Sequence, residues 1–394
     1  MRNLLSSLAV FFFIFCNSTL KSENIQNVNE ELGLVEILPG KVGTHWVWVS
    51  DMVWNAMPDG RATLVDADNG KMLGMLSTGY SFNSLSLPTE FREIYSAETY
   101  YSRITRGERT DVVSIYDARN LSPIAEIEIP AKRASTTPKL STATLSDDDR
   151  FLAVWNYTPA SSLSIVDVRN RKFVAEIATP GCALAFSAGD RVFLSLCGGG
   201  TIKATQLDDE GQLRQQVMSE IFFDLDSDPV TEKGVRLGCD WFFPSYEGKL
   251  HTVKYKDETF EFPEVWSLVN KSDQTDSWRI GGIQHLALHR KTKRLYALMH
   301  QGPRDTHHHP GTEVWVYDLT TKARVQKIVL EKAASSILVS QDKAPLLYTV
   351  IPDFTELVVY DAVSGIHQRT IPEISLTPSL LQLPESNDFR GNCI

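Results

Sequence analysis

The chain is short of the motifs through which proteins usually do chemistry. Five cysteines stand in 394 residues, and none falls in a C-x-x-C pair or a C-x-x-C-H run. That excludes c-type haem attachment and a paired-thiolate zinc site. No Gly-rich loop follows a strand and opens a helix; Gly198-Gly199-Gly200 reads as a turn between strands. No G-x-S-x-G nucleophile elbow is present. Long helical and heptad periods are missing, which argues against bundles and coiled coils. Basic runs are missing too, and the formal charge of −10 argues against nucleic acid as a partner. Beyond the N-terminus no stretch approaches the ~20 apolar residues of a membrane span.

What the chain does have is a repeat. An apolar residue precedes an Asp, a polar turn follows, and a second apolar strand returns. Clear copies stand at Val65-Asp66, Tyr116-Asp117, Val166-Asp167, Tyr317-Asp318 and Tyr360-Asp361. Weaker copies at Leu207-Asp208 and Lys256-Asp257 fill the one long gap, making seven units of roughly 40–60 residues. Residues before the Asp alternate, as in Glu313-Val314-Trp315-Val316-Tyr317, so they read as strands. Asp and its polar followers favour a tight turn, because their side chains bond nearby backbone and tolerate left-handed φ. A second hairpin precedes most copies, at 145–155, 186–197, 288–299 and 339–350. Two hairpins make a four-stranded blade that cannot bury its faces alone. The expected fold is therefore all-β, a seven-bladed β-propeller over residues 36–394.

The N-terminus reads as a targeting segment. Arg2 supplies the positive region and Leu4–Phe15 the apolar run, with cleavage expected near Ser18. Ile14-Phe15 is a poor lipobox for Cys16, which argues against lipidation. Residues 1–18 are thus an expected signal peptide, and 19–35 a polar N-terminal arm. Export agrees with the four remaining cysteines. Cys182 and Cys197 each lie about seven residues from the Ala188-Gly189-Asp190 turn, opposite one another on antiparallel strands, where a disulfide fits. Cys239 and Cys393 are left unassigned by spacing.

A few side chains invite a functional reading. His307-His308-His309 could bind a metal, but successive residues of a loop point apart, so the run reads as an exposed loop. His285 and His289 share one strand face and read as core or rim. Trp46 and Trp48 alternate within a strand and read as core. Trp54, just past that strand, suits a partner interface or a substrate gate as well as packing. Arg103, Arg106 and Arg109 sit in one hairpin, where guanidinium forks suit carboxylates at an interface.

Four segments carry a family resemblance. The runs TYYSRITRGERTDVVSIYD (99–117) and GGIQHLALHRKTKRLYALMHQGPRDTHHHPGTEVWVYDLTTKARVQKI (281–328) resemble those of the heavy subunits of the tryptophan tryptophylquinone amine dehydrogenases. The hairpin at 181–200 is similar to that family's disulfide-bearing hairpin, and SQDKAPLLYTV (340–350) to its last-blade strand. The resemblance runs from about Leu38 to Pro378. Segments 130–133, 265–282 and 298–316 look closer to the aromatic (aralkyl) amine enzymes than to methylamine dehydrogenase, whereas THHHPG departs from the usual Thr-His-Lys pattern.

The resemblance implies a seven-bladed propeller in a periplasmic assembly of two heavy and two light subunits. It implies no catalytic residue, metal or cofactor in this chain, the tryptophan tryptophylquinone being formed on the light subunit. The reaction implied is oxidative deamination of a small primary amine, with electrons passed to an azurin- or amicyanin-like blue copper protein. A heavy-chain aromatic near the end of the first-blade strand lines the substrate channel in this family. The matching position is Trp54, or Asn55 if the register slips by one. The competing readings are a methylamine-specific heavy subunit, a non-enzymatic periplasmic binding module, and a propeller enzyme with a metal in its axial channel.

Overall fold

A computed structural model describes residues 36–80, 84–134 and 138–384; the expected signal peptide and arm lie outside them. Seven antiparallel sheets succeed one another along the chain, one per Asp-turn unit. Blade one is built from Trp46–Asp51, Gly60–Asp66 and Lys71–Gly79, and its inner strand is supplied by Pro378–Gln382 from the other end of the chain. That pairing, with Trp48 opposite Gln382 and Ser50 opposite Leu380, closes the ring. Blade two is the thinnest, with three strands (Glu93–Tyr101, Arg109–Asp117, Pro123–Ile129) and a single inner bridge from Ser86 to Tyr95.

Alternation explains how the blades hold together. Val47 and Val49 pack on blade seven with Tyr348, Val350 and Val359. Trp46 and Trp48 point the other way, onto Ile94 and Tyr116 of blade two. Both faces of the strand are thus buried, and the apolar core lies in the seams between blades rather than inside any one of them. Among the described residues the only α-helix is Lys271–Thr275, started by an Asn270/Asp273 capping box. No helix there is long and apolar enough to cross a membrane.

The repeated Asp has a local job. Each clear copy ends the strand next to the outermost one of its blade, and its carboxylate accepts from amides or an amide side chain within the next few residues. Asp117 accepts from the Arg119 and Asn120 amides at 2.8 and 3.1 Å, and Asp361 from those of Val363 and Ser364 at 3.0 and 2.6 Å. The turn is fixed without help from other blades.

Candidate functional site

Antiparallel connectivity divides the ring into two faces. Asp turns and inner hairpin turns emerge on one. Loops joining second to third strands, and the crossings from blade to blade, emerge on the other. This second face carries a rim of exposed apolar side chains. Trp54 is 60% exposed, Ile104 75%, Tyr157 58% and Phe354 50%, with Leu376 on the crossing into the closing strand at 57%. Their loops come from blades one, two, three and seven, so no local sequence window shows them together.

Trp54 has the most elaborate mount. The buried Asp51 carboxylate ends the Trp46–Asp51 strand. It accepts from the Val53 amide at 2.8 Å, the Leu376 and Thr377 amides at 2.6 and 2.9 Å, and the Thr377 hydroxyl at 2.7 Å. Thr377 Oγ1 in turn accepts from the Trp54 amide at 3.1 Å. Val53 takes φ +43°, an unfavourable conformation for a β-branched residue, which the surrounding bonds must hold in place. The chain is thereby turned outward, and Trp54 and Asn55 both stand exposed on the rim. Asp51 could have been suspected from its place after WVWVS. Thr377, 326 residues away, had no local signal.

The arginine hairpin separates into two parts. Arg109 Nε and Nη2 donate to Asp111 at 2.8 and 2.7 Å, and Nη2 also donates to the Arg133 carbonyl at 2.8 Å. Its fork is thus engaged inside the sheet, against a fully buried carboxylate. Arg103 and Arg106 occupy the exposed tip of the loop, on the same face as Trp54 and one blade away.

The histidines fall mainly to structure. His285 is fully buried, 2.8 Å from the Thr231 hydroxyl, and burial and nearby Lys233 hold its pKa well below the usual value. His289 bonds Thr292 and the Asp342 carbonyl. His307 stacks on Tyr246 at 3.7 Å, and burial, with Lys233 beside it, lowers its pKa to about 4. His308 and His309 are exposed. Among the described residues no group of three or more His, Cys, Asp or Glu is placed to hold a metal. Cys182 and Cys197 are paired in a disulfide at opposed positions of their hairpin. Cys239 is disulfide-bonded as well, while Cys393 lies outside the described residues.

Residues 45–383 match the family model for the methylamine dehydrogenase heavy chain. This chain belongs to the methylamine dehydrogenase heavy-chain family. It is 30% identical over 325 residues to the heavy chain from Methylophilus methylotrophus, covering 80% of this chain and 78% of that one. With the Paracoccus versutus heavy chain it shares 29% over 321 residues, 81% and 74% of the two chains. More distant solved structures support the fold alone. A putative 6-phosphogluconolactonase from Bacteroides fragilis aligns with TM-score 0.59 at 11% identity over 86% and 97% of the chains. A dihydro-heme d1 dehydrogenase aligns at 0.55 and 16%, over 89% and 77%. The heavy-chain match spans the ring from the start of blade one into the closing strand, so it includes Trp54 and its mount.

Proposed function

We propose that this chain is the heavy subunit of an exported quinoprotein amine dehydrogenase. The match to heavy chains across the whole ring carries this reading. A primary amine and one water are converted to aldehyde, ammonia and two protons, and the two electrons leave one at a time to a small blue copper protein such as azurin or amicyanin. The tryptophan tryptophylquinone on a light subunit supplies the electron sink. An exposed aromatic on a rigid mount suits a shared channel wall, because such a group gains most when a partner and a substrate bury it. In this reading Trp54, with Asn55 beside it, shapes the channel and governs which amines enter it. Asp51 and Thr377 hold Trp54 still. Arg103 and Arg106 extend the partner surface, with Arg109 bracing their hairpin. Proton abstraction belongs to the light subunit. The expected leader at 1–18 and the Cys182–Cys197 disulfide support a periplasmic location.

Aralkyl amines come first as substrates, on the resemblance of segments 130–133, 265–282 and 298–316. A second reading, methylamine itself, is favoured by the names of the relatives. The test is to isolate the chain with its partner from the native periplasm and record the visible spectrum and kcat/KM for phenylethylamine and methylamine. A co-purifying small subunit with a quinone band and amine turnover is the expected result, and the ratio of the two amines decides between the readings. A chain that purifies alone and supports no amine oxidation would overturn both.

A further inference from the structure

A cavity lies on the opposite face from Trp54, wedged between blades six and seven. It has a volume of about 680 Å³, within the range of small-molecule pockets. Its lining is amphipathic. Tyr296, Val316 and Ala362 are buried, and Val325 and Val363, 51% and 67% exposed, form apolar walls. Lys291, Arg294 and Lys343 supply the charge. Among the described residues neither lysine has a carboxylate within ion-pair distance. Arg294 is ion-paired with Asp318, its Nη1 lying 2.7 Å from the carboxylate. Asp342, the carboxylate in the lining, already accepts from the Ser340 hydroxyl and the Ala344 amide at 2.7 and 2.9 Å.

The local charge runs against that of the molecule. A chain of formal charge −10 sets three cations against one carboxylate in this lining. Lys291 and Lys343 can each donate a charge-assisted hydrogen bond to an anion entering the cavity. The apolar walls in turn reward a hydrocarbon body behind the anionic head. We infer that this cavity is a binding site for a small amphipathic anion, a carboxylate or sulfonate on an alkyl or aryl body. Its position on the Asp-turn face leaves the Trp54 rim free, so the two sites can be filled together. The inference does not depend on the amine reaction.

The test is a fluorescence titration of the full chain with 1-anilinonaphthalene-8-sulfonate, followed by displacement. Saturable one-to-one binding is expected, displaced by hexanoate but not by equal hexylamine or inorganic sulfate. Removing two charges at a partly buried site with Lys291→Gln/Lys343→Gln should raise Kd by at least about tenfold. Val363→Glu should do the same, and Ile104→Ser, on the other face, should change nothing. All four positions are exposed, and circular dichroism checks that the variants are folded. Absence of saturable binding, equal displacement by hexylamine, or an unchanged Kd in the lysine variant would each overturn the proposal.

Discussion

Glu98 shows how much can rest on one proton. It is fully buried in the Glu93–Tyr101 strand of blade two, and among the described residues no cation is bonded to it. Oε2 accepts from the hydroxyls of Tyr100 and Ser114, each at 2.6 Å. Oε1 lies 2.9 Å from the Tyr116 hydroxyl, which is also 2.7 Å from the Ser77 carbonyl on blade one. Tyr116 has one proton and two acceptors if Glu98 is ionised. If Oε1 carries the proton it donates to Tyr116, Tyr116 donates to Ser77, and every partner is satisfied. Burial pushes the Glu98 pKa up, against the lowering effect of its hydroxyl donors. Charged Arg133 lies close enough to interact with Glu98, and Glu126 close enough to interact with Tyr100. The sign follows. Below the ordinary carboxyl value of 4.5, both folded and unfolded chains hold the proton. As pH rises past that value the unfolded chain ionises first, so stability falls with pH until the folded group titrates, by up to about 1.4 kcal/mol per unit. Glu98→Gln should flatten this slope in urea unfolding measured across pH 4–7, and an unchanged slope would place the titration elsewhere.

Legibility at the element scale tracks how local each interaction is. The five clear Asp turns were readable because each carboxylate bonds amides two or three residues on. The disulfide hairpin was readable because its cysteines are symmetric about a turn. A register shift between Ala183 and Phe186, with Leu184 at φ +66°, was not foreseen, but it leaves the cysteines paired. Trp54's exposure followed from its place after a strand end, whereas Thr377, which holds it, is distant in sequence. Arg109 was grouped with Arg103 and Arg106 by proximity, yet strand pairing places it opposite Tyr101 and within reach of Asp111, while the other two stay at the tip. The Cys182–Cys197 bond closes a separation of 15 residues. A loop of that length implies about 3 kcal/mol of stabilisation. The Cys182→Ala/Cys197→Ala variant should lose about that much in chemical denaturation, and a loss near zero would mean the hairpin holds its own register.

At the scale of the molecule the question is closure. The closing strand is pinned to its neighbours around the axis by two glutamine side chains that act like short strand segments. Gln382 accepts from the Leu85 amide and donates to the Leu85 carbonyl, both at 2.8 Å. Gln284 accepts from the Leu381 amide at 2.9 Å and donates to its carbonyl at 3.0 Å. These link blades one, two and six across separations of 297 and 97 residues. Gln382→Ala strands a backbone donor and acceptor, so thermal unfolding should report a loss of about 1–3 kcal/mol. A variant as stable as the parent would show that strand pairing alone closes the ring.

The same closure brings Thr377 beneath Trp54 and so builds the site from both ends of the chain. The central claim is that this chain governs access while its partner performs the chemistry. The most direct test is kcat/KM of the assembled Trp54→Ala enzyme across small and bulky primary amines. A single methylene in an apolar pocket is worth about 1–3 kcal/mol, so loss of an indole should shift the ratio between bulky and small amines by tenfold or more, on the order of that energy. Subunit assembly and the quinone spectrum should be unchanged. Unaltered selectivity with failed assembly would make Trp54 an interface residue only, and amine oxidation by the heavy chain alone would contradict the division of labour outright.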